Sequence, residues 1–216
     1  MKQILNEEDR VLLETLIKEA ELQTSAQIVM AIIKRSDNYA EIPWKAFSLG
    51  SSVTGLVVLL LVLIFPEWIT NNIILLSVAA IFVTGTFLAL LTILMPQFAR
   101  LFLAGNRKET EPLQYAESLF LSHELFATNA RRGVLLLVSR FERQVVILPD
   151  TGVRNRLSDN IMKDIISGMK QHLRQNKLRD AMEAGLNGLV TALCPPVFEE
   201  PDNNELSDKI IEEDGV

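Results

Sequence analysis

Acidic side chains stand at both ends of QVVIL, a short apolar run in the second half of the chain. Glu142 precedes this run, Asp150 follows it, and Asp159 comes a little further along. Carboxylates near strand ends suit hard divalent cations such as Ca²⁺ and Mg²⁺. Asp150 together with Asp159 or Glu142 is therefore a candidate cation site.

Asp150 also has a second interpretation, as a residue that shapes a turn. The sequence Asp-Thr-Gly at 150–152 is typical of turns, and an aspartate there accepts hydrogen bonds from the neighbouring backbone. We favour this interpretation, with Gly152 completing the turn. We therefore predict no metal site and no cofactor, and Asp150 and Asp159 are the ligands to examine if Ca²⁺ or Mg²⁺ does bind.

A polar connection, RFER, separates QVVIL from the preceding apolar run VLLLVS. Glu142 and Arg143 in this connection could form a recognition pair or could solvate the tip of a β-hairpin, and we favour solvation. A basic cluster surrounds the same stretch, and its members are Arg131, Arg132, Arg140 and Arg143. This cluster could contact anionic lipid or could be a solvated surface, and the sequence leaves both interpretations open.

Familiar catalytic arrangements are missing from the sequence. His123 and Glu124 are neighbours, but adjacent residues on a helix point about 100° apart, and no nucleophile accompanies them. There is no catalytic triad, no phosphate-binding glycine loop and no zinc motif. Cys194 is the single cysteine, so no intramolecular disulfide can form. The catalytic residues stay unassigned, and we expect no enzyme activity.

The net charge of −6 arises at the C-terminal end of the chain. From Cys194 onward, eight acidic residues accompany one lysine, Lys209, and the rest of the chain is close to neutral. A near-neutral body lacks the basic face that nucleic acid requires, so we predict no nucleic-acid binding. The acidic segment 195–216 is predicted to be a disordered tail.

Two long uncharged blocks, residues 46–66 and 68–99, interrupt the chain. A helix needs roughly 20 apolar residues to cross a bilayer, so the blocks predict transmembrane spans at about 47–65 and 73–95. Two small-xxx-small pairs, Ser51 with Gly55 and Gly85 with Ala89, would let the helices approach closely. Neither span contains an ionisable side chain, so the hairpin is predicted to be an anchor and not an ion pathway.

Basic residues flank the predicted hairpin on its two outer sides and are absent from the turn PEWITNN. They are Lys34, Arg35 and Lys45 before the hairpin, and Arg100, Arg107 and Lys108 after it. The positive-inside rule then predicts that both termini are cytoplasmic. We expect a multi-pass protein of the cell (inner) membrane, with the lipid bilayer as one partner.

Outside the hairpin, the apolar patterns predict the order helix, strand, helix, strand, strand, helix, helix. The three strands, in QIVMAIIK, VLLLVS and QVVIL, are apolar enough to be buried on both faces. Helices before and after them can cover both faces, which predicts a three-layer α/β/α sandwich split by the inserted transmembrane hairpin. The predicted domain combines residues 1–45 and 100–194, with the hairpin at 46–99 and the tail at 195–216.

The stretch AESLFLSHELFATNARRGVLLLVSRFERQVVILPDTGV resembles the central signature of the TPM domain family. LIKEAELQTSAQIVMAIIKRSDNY is similar to the opening helix and strand of that family, and HLRQNKLRDAMEAGLNGLVTAL to its closing helix. The two-span insertion resembles a bacterial membrane-anchored branch. The family fold is an α/β/α sandwich, which agrees with the pattern of strands and helices.

The resemblance implies several functional expectations. Glu142 and Arg143 match the family's Glu-Arg between strands, and Asp150 and Gly152 match its Asp-x-Gly turn. Some members are phosphatases or bind a divalent ion, often calcium, and others act as assembly partners. We expect a protein-interaction, assembly or maintenance factor with a membrane-protein partner, and the alternative is a divalent-ion-dependent phosphatase. The candidate binding surface comprises Arg132, Glu142, Arg143, Asp150 and Gly152.

Overall fold

A four-stranded sheet contains strands from both sides of the apolar insertion. The computed structural model describes residues 5–68, 70–194, 206 and 209–215. The strands are β1 (Gln27–Arg35), β2 (Gly133–Ser139), β3 (Gln144–Pro149) and β4 (Ile211–Gly215). Their order across the sheet is β3-β2-β1-β4, where β1 runs parallel to β2 and β4, and β2 and β3 form an antiparallel hairpin.

The α-helices within the described residues are α1 (Glu7–Thr24), α2 (Glu41–Ile64), α3 (Asn71–Leu94), α4 (Pro96–Ala99), α5 (Gly105–Ser122), α6 (Asp159–Arg174) and α7 (Leu178–Leu193). The chain divides into two compact units. We call Met1–Asp37 with Lys108–Val216 the sheet unit and Asn38–Arg107 the hairpin unit.

The sheet unit is a three-layer sandwich, because side chains of β1 enter a different core on each face of the sheet. Ile28, Met30 and Ile32 pack in the core that α1, α6 and α7 cover. Val29, Ala31 and Ile33 pack on the opposite face with residues of α5. An apolar strand that lies between two parallel neighbours, as β1 does, is stable only when helices cover both of its faces. The predicted α/β/α sandwich is confirmed.

Strand β4 corrects the prediction for the acidic tail. The composition of 195–216 predicts disorder, but Ile211–Gly215 pairs with β1 as a fourth strand. Three acidic side chains of β4 have partners in other elements: Glu212 pairs with Arg10 of α1, Glu213 accepts a hydrogen bond from Tyr115 of α5, and Asp214 pairs with Lys34 of β1. Residues 195–205, 207–208 and 216 of the predicted tail lie outside the described residues.

The hairpin unit contains the two predicted spans. Helices α2 and α3 have 24 residues each, with mean hydropathies of 2.4 and 2.5 in their most apolar windows. Twenty-four helical residues extend about 36 Å, which exceeds the roughly 30 Å thickness of the hydrocarbon core of a bilayer. Both helices are therefore long and apolar enough to cross a membrane.

Small residues lie where α2 and α3 cross. A Cβ atom added to Gly50 would lie 3.1 Å from the carbonyl oxygen of Thr84, and one added to Gly85 would lie 2.3 Å from the hydroxyl of Ser51. The Ser51 hydroxyl also donates a hydrogen bond of 3.4 Å to the carbonyl of Ile81. By contrast, a Cβ on Gly55 would meet nothing closer than 3.9 Å. The close approach therefore depends on Gly50, Ser51 and Gly85, whereas Gly55 has room for a methyl group.

We predict that Gly85→Ala destabilises the helix pair and that Gly55→Ala does not. The added methyl group at Gly85 forces α2 and α3 apart, which typically costs about 1–3 kcal/mol. At Gly55 the same change fits and raises helix propensity. Denaturation of the purified chain in mixed micelles, followed by circular dichroism, measures both variants. Equal stabilities of Gly85→Ala and Gly55→Ala would contradict the packing.

Candidate functional site

The candidate site residues lie at two opposite ends of the sheet. Glu142 sits in the β2–β3 turn, beside the carboxyl ends of β1 and β2. Asp150 follows β3, beside the first residues of β2. The six residues of β3 separate the two carboxylates, and six strand residues extend roughly 20 Å. Glu142 and Asp150 therefore cannot bind one cation together, and that combination is wrong.

Glu142 is a buried carboxylate whose two oxygens are used inside the sheet unit. Glu142 is 1% exposed. One carboxylate oxygen accepts hydrogen bonds from the backbone N–H of Ser36 at 2.9 Å and from its hydroxyl at 2.7 Å. The other oxygen accepts a hydrogen bond from the hydroxyl of Ser139. Glu142 thus ties the segment after β1 to the β2–β3 turn.

The predicted solvation of the hairpin tip is therefore wrong for Glu142. A carboxylate is stable in the interior only when hydrogen-bond donors replace water, and Ser36 and Ser139 supply them. Arg143 differs from its neighbour, since it is exposed and adopts a left-handed backbone conformation with φ of 54°. The two residues do not form one recognition pair on the surface.

Asp150 is 4% exposed and organises the turn after β3. Its Oδ1 accepts hydrogen bonds from the backbone N–H of Thr151 at 2.7 Å and from Nε of Arg131 at 3.1 Å. Its backbone carbonyl accepts hydrogen bonds from the N–H groups of Val153 and Arg154. Asp150 thus shapes its turn through both its side chain and its backbone.

The second oxygen of the Asp150 carboxylate, Oδ2, is less completely satisfied. It lies 3.0 Å from Nε of Arg131, but that N–H points to Oδ1, and Oδ2 is buried without a well-aligned donor. Arg131 is half exposed and its guanidinium also lies over the ring of Phe126, at 5.8 Å from the centroid. One acceptor position of Asp150 thus stays open to a donor or a cation.

Gly152 is required because the turn packs against the segment before β2. Its N–H donates a hydrogen bond of 2.9 Å to the carbonyl of Arg131. A Cβ atom at this position would lie 2.1 Å from the carbonyl oxygen of Ala130, a contact that backbone atoms cannot relieve cheaply. The Asp-x-Gly pattern therefore has a structural explanation: Asp150 binds Arg131, and Gly152 allows the two segments to touch.

Arg132 lies in the interior and is not part of an exposed basic cluster. It is 3% exposed, and its Nε donates a hydrogen bond of 3.1 Å to the carbonyl of Asn129. Its backbone joins Thr128 and Gln27 through further hydrogen bonds. The lipid-contact interpretation therefore cannot include Arg132. Arg131, Arg140 and Arg143 are exposed.

Asp159, the other candidate ligand, is the first residue of α6 and is exposed. Among the residues that the structure describes, no three His, Cys, Asp or Glu side chains come together in a way that could hold a metal ion. Asp150 offers one open carboxylate oxygen, which by itself provides fewer ligands than Ca²⁺ or Mg²⁺ takes from a protein site.

The sequence interpretation missed the residues that surround these carboxylates. Ser36 directly follows β1 and Ser139 is the last residue of β2. The Ser139–Glu142 spacing of three residues suits a local contact across a turn. Ser36 lies 106 residues from Glu142, and no local pattern reveals that contact. No sequence pattern indicates that Arg10 and Tyr115 contact the acidic residues of β4.

The comparisons with known proteins agree with this architecture. Residues 98–192 match the family model of the TPM domain. This match confirms the resemblance to the TPM domain that the strand-hairpin motif carries, over residues 98–192. None of the curated proteins compared matches the chain.

Among solved structures, the chain is similar to the BA42 protein from the psychrophilic bacterium Bizionia argentinensis, determined by NMR. The two share 15% sequence identity, and the match covers 98% of this chain and 97% of that chain with a TM-score of 0.58. At this identity, the similarity concerns the fold.

We predict that Glu142→Ala destabilises the sheet unit by about 2–3 kcal/mol, because three buried donors lose a charged acceptor. Glu142→Gln should fall between Glu142→Ala and the wild type, since the amide keeps one acceptor oxygen. Arg143→Ala is the matched control, and an exposed change there should stay within about 0.5 kcal/mol. Thermal unfolding of the purified chain in detergent measures all three. A Glu142→Ala variant as stable as Arg143→Ala would show that the carboxylate does not hold the turn.

Proposed function

We propose that this TPM domain protein is a membrane-anchored interaction factor that assists the assembly or maintenance of a membrane protein. In this proposal, the sheet unit works at the cytoplasmic face of a bacterial inner membrane. The protein is multi-pass, both of its termini are cytoplasmic, and its partners are the bilayer and a membrane protein. It uses no resident cofactor and binds no nucleic acid.

One observation carries the preference for an interaction role. The two buried carboxylates of the signature, Glu142 and Asp150, lie at opposite ends of the sheet and accept hydrogen bonds from groups of their own chain. A hydrolytic site needs its acid, base and metal ligands within hydrogen-bond reach of one reacting centre. The arrangement of Glu142 and Asp150 suits a scaffold better than a reaction centre.

The membrane location is supported by the surface of the hairpin unit. Many large apolar side chains of α2 and α3 are exposed, including Leu56, Leu63, Leu75 and Phe87. Apolar patches of this extent are covered in functioning proteins by lipid or by a partner. The lysines and arginines at the outer ends of the hairpin support the cytoplasmic placement of the sheet unit.

A divalent-ion-dependent phosphatase is the alternative, and one observation favours it. Asp150 keeps a buried oxygen without an aligned donor, and the positive Arg131 lies beside it. A cation at this oxygen, with phosphate against the arginine, is chemically reasonable. Such a site would need further ligands from water or from substrate.

We expect crosslinking in native membranes, followed by purification of the tagged full-length chain, to recover a specific membrane protein. An untagged chain expressed at the same level is the control for adsorption to the resin. Recovery of nothing beyond the tagged chain itself would contradict the interaction role.

The purified chain tests the alternative directly through release of phosphate from a generic phosphate ester with Mg²⁺ or Ca²⁺. The interaction role predicts no metal-dependent turnover. Asp150→Ala removes the buried carboxylate, and Asp159→Ala removes an exposed carboxylate as the matched control. Turnover that requires the metal and is lost in Asp150→Ala alone would overturn the proposal in favour of the phosphatase.

A further inference from the structure

The outer edge of β1, on the side away from β2, is covered by the acidic strand β4. We propose that this edge is a binding site for an extended acidic peptide from a partner protein, and that β4 is its resident, replaceable occupant. The inference rests on the proposed interaction role, for which it names the site and the class of ligand. We call this site the β1-edge groove, defined by β1, Arg10 and Tyr115.

The backbone of β1 supplies the first part of the recognition. Its inner edge pairs with β2 from Gln27 to Ile33, and its outer edge pairs in parallel with β4 at Ala31–Ile33 and Arg35. A strand edge can form backbone hydrogen bonds with any extended chain, and addition of a strand to a sheet is a common way to bind peptides. The β1 edge therefore provides affinity that does not depend on sequence.

Two side chains on opposite faces of the sheet supply the specificity. Arg10 of α1 pairs with Glu212 at 3.0 Å, and the hydroxyl of Tyr115 of α5 donates a hydrogen bond to Glu213. Consecutive residues of a strand point to opposite faces, so two adjacent acids meet donors above and below the sheet. The groove thus selects an acid-acid pair.

The flanking contacts extend this pattern in both directions. Ile210, immediately before β4, is 5% exposed and joins the core that α1, α6 and α7 cover. Asp214, after the acid pair, forms an ion pair with Lys34 that holds the pKa of the Asp214 carboxyl below its usual value. The preferred ligand is therefore an extended segment with an apolar residue followed by acidic residues.

The tyrosine stays protonated in this setting. Burial raises the pKa of Tyr115 above its ordinary value, and the neighbouring Glu213 carboxylate raises it further. At neutral pH the phenol is consequently a donor and not a second negative charge. An acidic ligand meets a donor on each face without repulsion.

The contacts of β4 suit an occupant that can leave. The strand has five residues, all of which keep some exposure, and Ile210 beside it provides the fully buried apolar side chain. The exposed ion pair between Lys34 and Asp214 contributes little, and short edge segments open with small free energies. The protein's own β4 still competes strongly with a partner peptide, because a tethered ligand has an effective concentration of the order of millimolar.

A substitution at Gly215 would weaken the pairing of β4 with β1 without removing the acidic side chains of β4. It has a φ of 81°, and a Cβ atom there would lie 1.6 Å from the carbonyl oxygen of Arg35. A valine at this position cannot keep the end of β4 on β1. Gly215→Val therefore releases the tail by a route that is independent of charge.

The probe is a fluorescent peptide with the sequence KIIEEDGV, residues 209–216, added to the purified full-length chain in detergent micelles. Binding is followed by fluorescence anisotropy. We expect weak binding to the wild type, because its own tail fills the groove. We expect at least about tenfold tighter binding to Glu212→Ala/Glu213→Ala and to Gly215→Val. Glu109→Ala/Glu117→Ala removes two exposed acids of α5 and should behave like the wild type.

The side chains of the groove are tested in the Gly215→Val chain. Adding Arg10→Ala or Tyr115→Phe should weaken peptide binding about tenfold each, as expected for hydrogen bonds to a charged group. A charge-reversed peptide, KIIKKDGV, should not bind. These changes separate recognition by the groove from adhesion of an amphipathic peptide to the micelle.

The proposed site is contradicted if neither released chain binds the peptide, or if the charge-reversed peptide binds equally well. Peptide binding that is insensitive to Arg10→Ala and Tyr115→Phe would also contradict it. If the released chains dimerise and do not bind the peptide, the outer edge of β1 binds a second copy of the chain, which also contradicts the proposed peptide site. If the β1-edge groove does not bind the peptide but crosslinking in membranes still recovers a partner, the interaction role stands and its site lies elsewhere.

Discussion

The parallel pairing of β1 with β2 is the constraint on which the rest of the structure depends. β1 precedes the apolar insertion and β2 follows it, yet seven consecutive residues of each strand face one another. The sheet unit cannot close until the chain has passed through α2 and α3 and returned. Every helix that covers the sheet packs on side chains of this strand pair or of its immediate neighbours.

The polar residues of the family signature support that pairing from its two ends. Glu142 gathers Ser36 and the β2–β3 turn at the carboxyl end of β1. At the other end, Asp150 and Gly152 join the turn after β3 to the segment that leads into β2. These residues therefore have a structural role in this chain. We place molecular recognition at the edge of the sheet, where β4 shows which ligand chemistry fits.

Local patterns were sufficient to predict β1, β2, β3 and the main helices, because each has an apolar run or stripe of its own. They were insufficient wherever a polar residue depends on a distant partner. The acids of β4 indicate a solvated tail until Arg10 and Tyr115 are brought beside them, and Glu212 lies 202 residues from Arg10. Arg132 and Glu142 are charged residues among charged neighbours, so their sequence surroundings indicate exposure, whereas both are buried.

The same pairing has a direct consequence for the proposed topology: if α2 and α3 cross the membrane, both ends of the hairpin return to one side of it. Reporter fusions that are active on only one side of the membrane test this most directly. A reporter inserted near Thr70, between α2 and α3, should report an exported position, and one fused after Val216 a cytoplasmic position. Reporters that place Thr70 and Val216 on the same side would contradict the membrane hairpin and the account built on it.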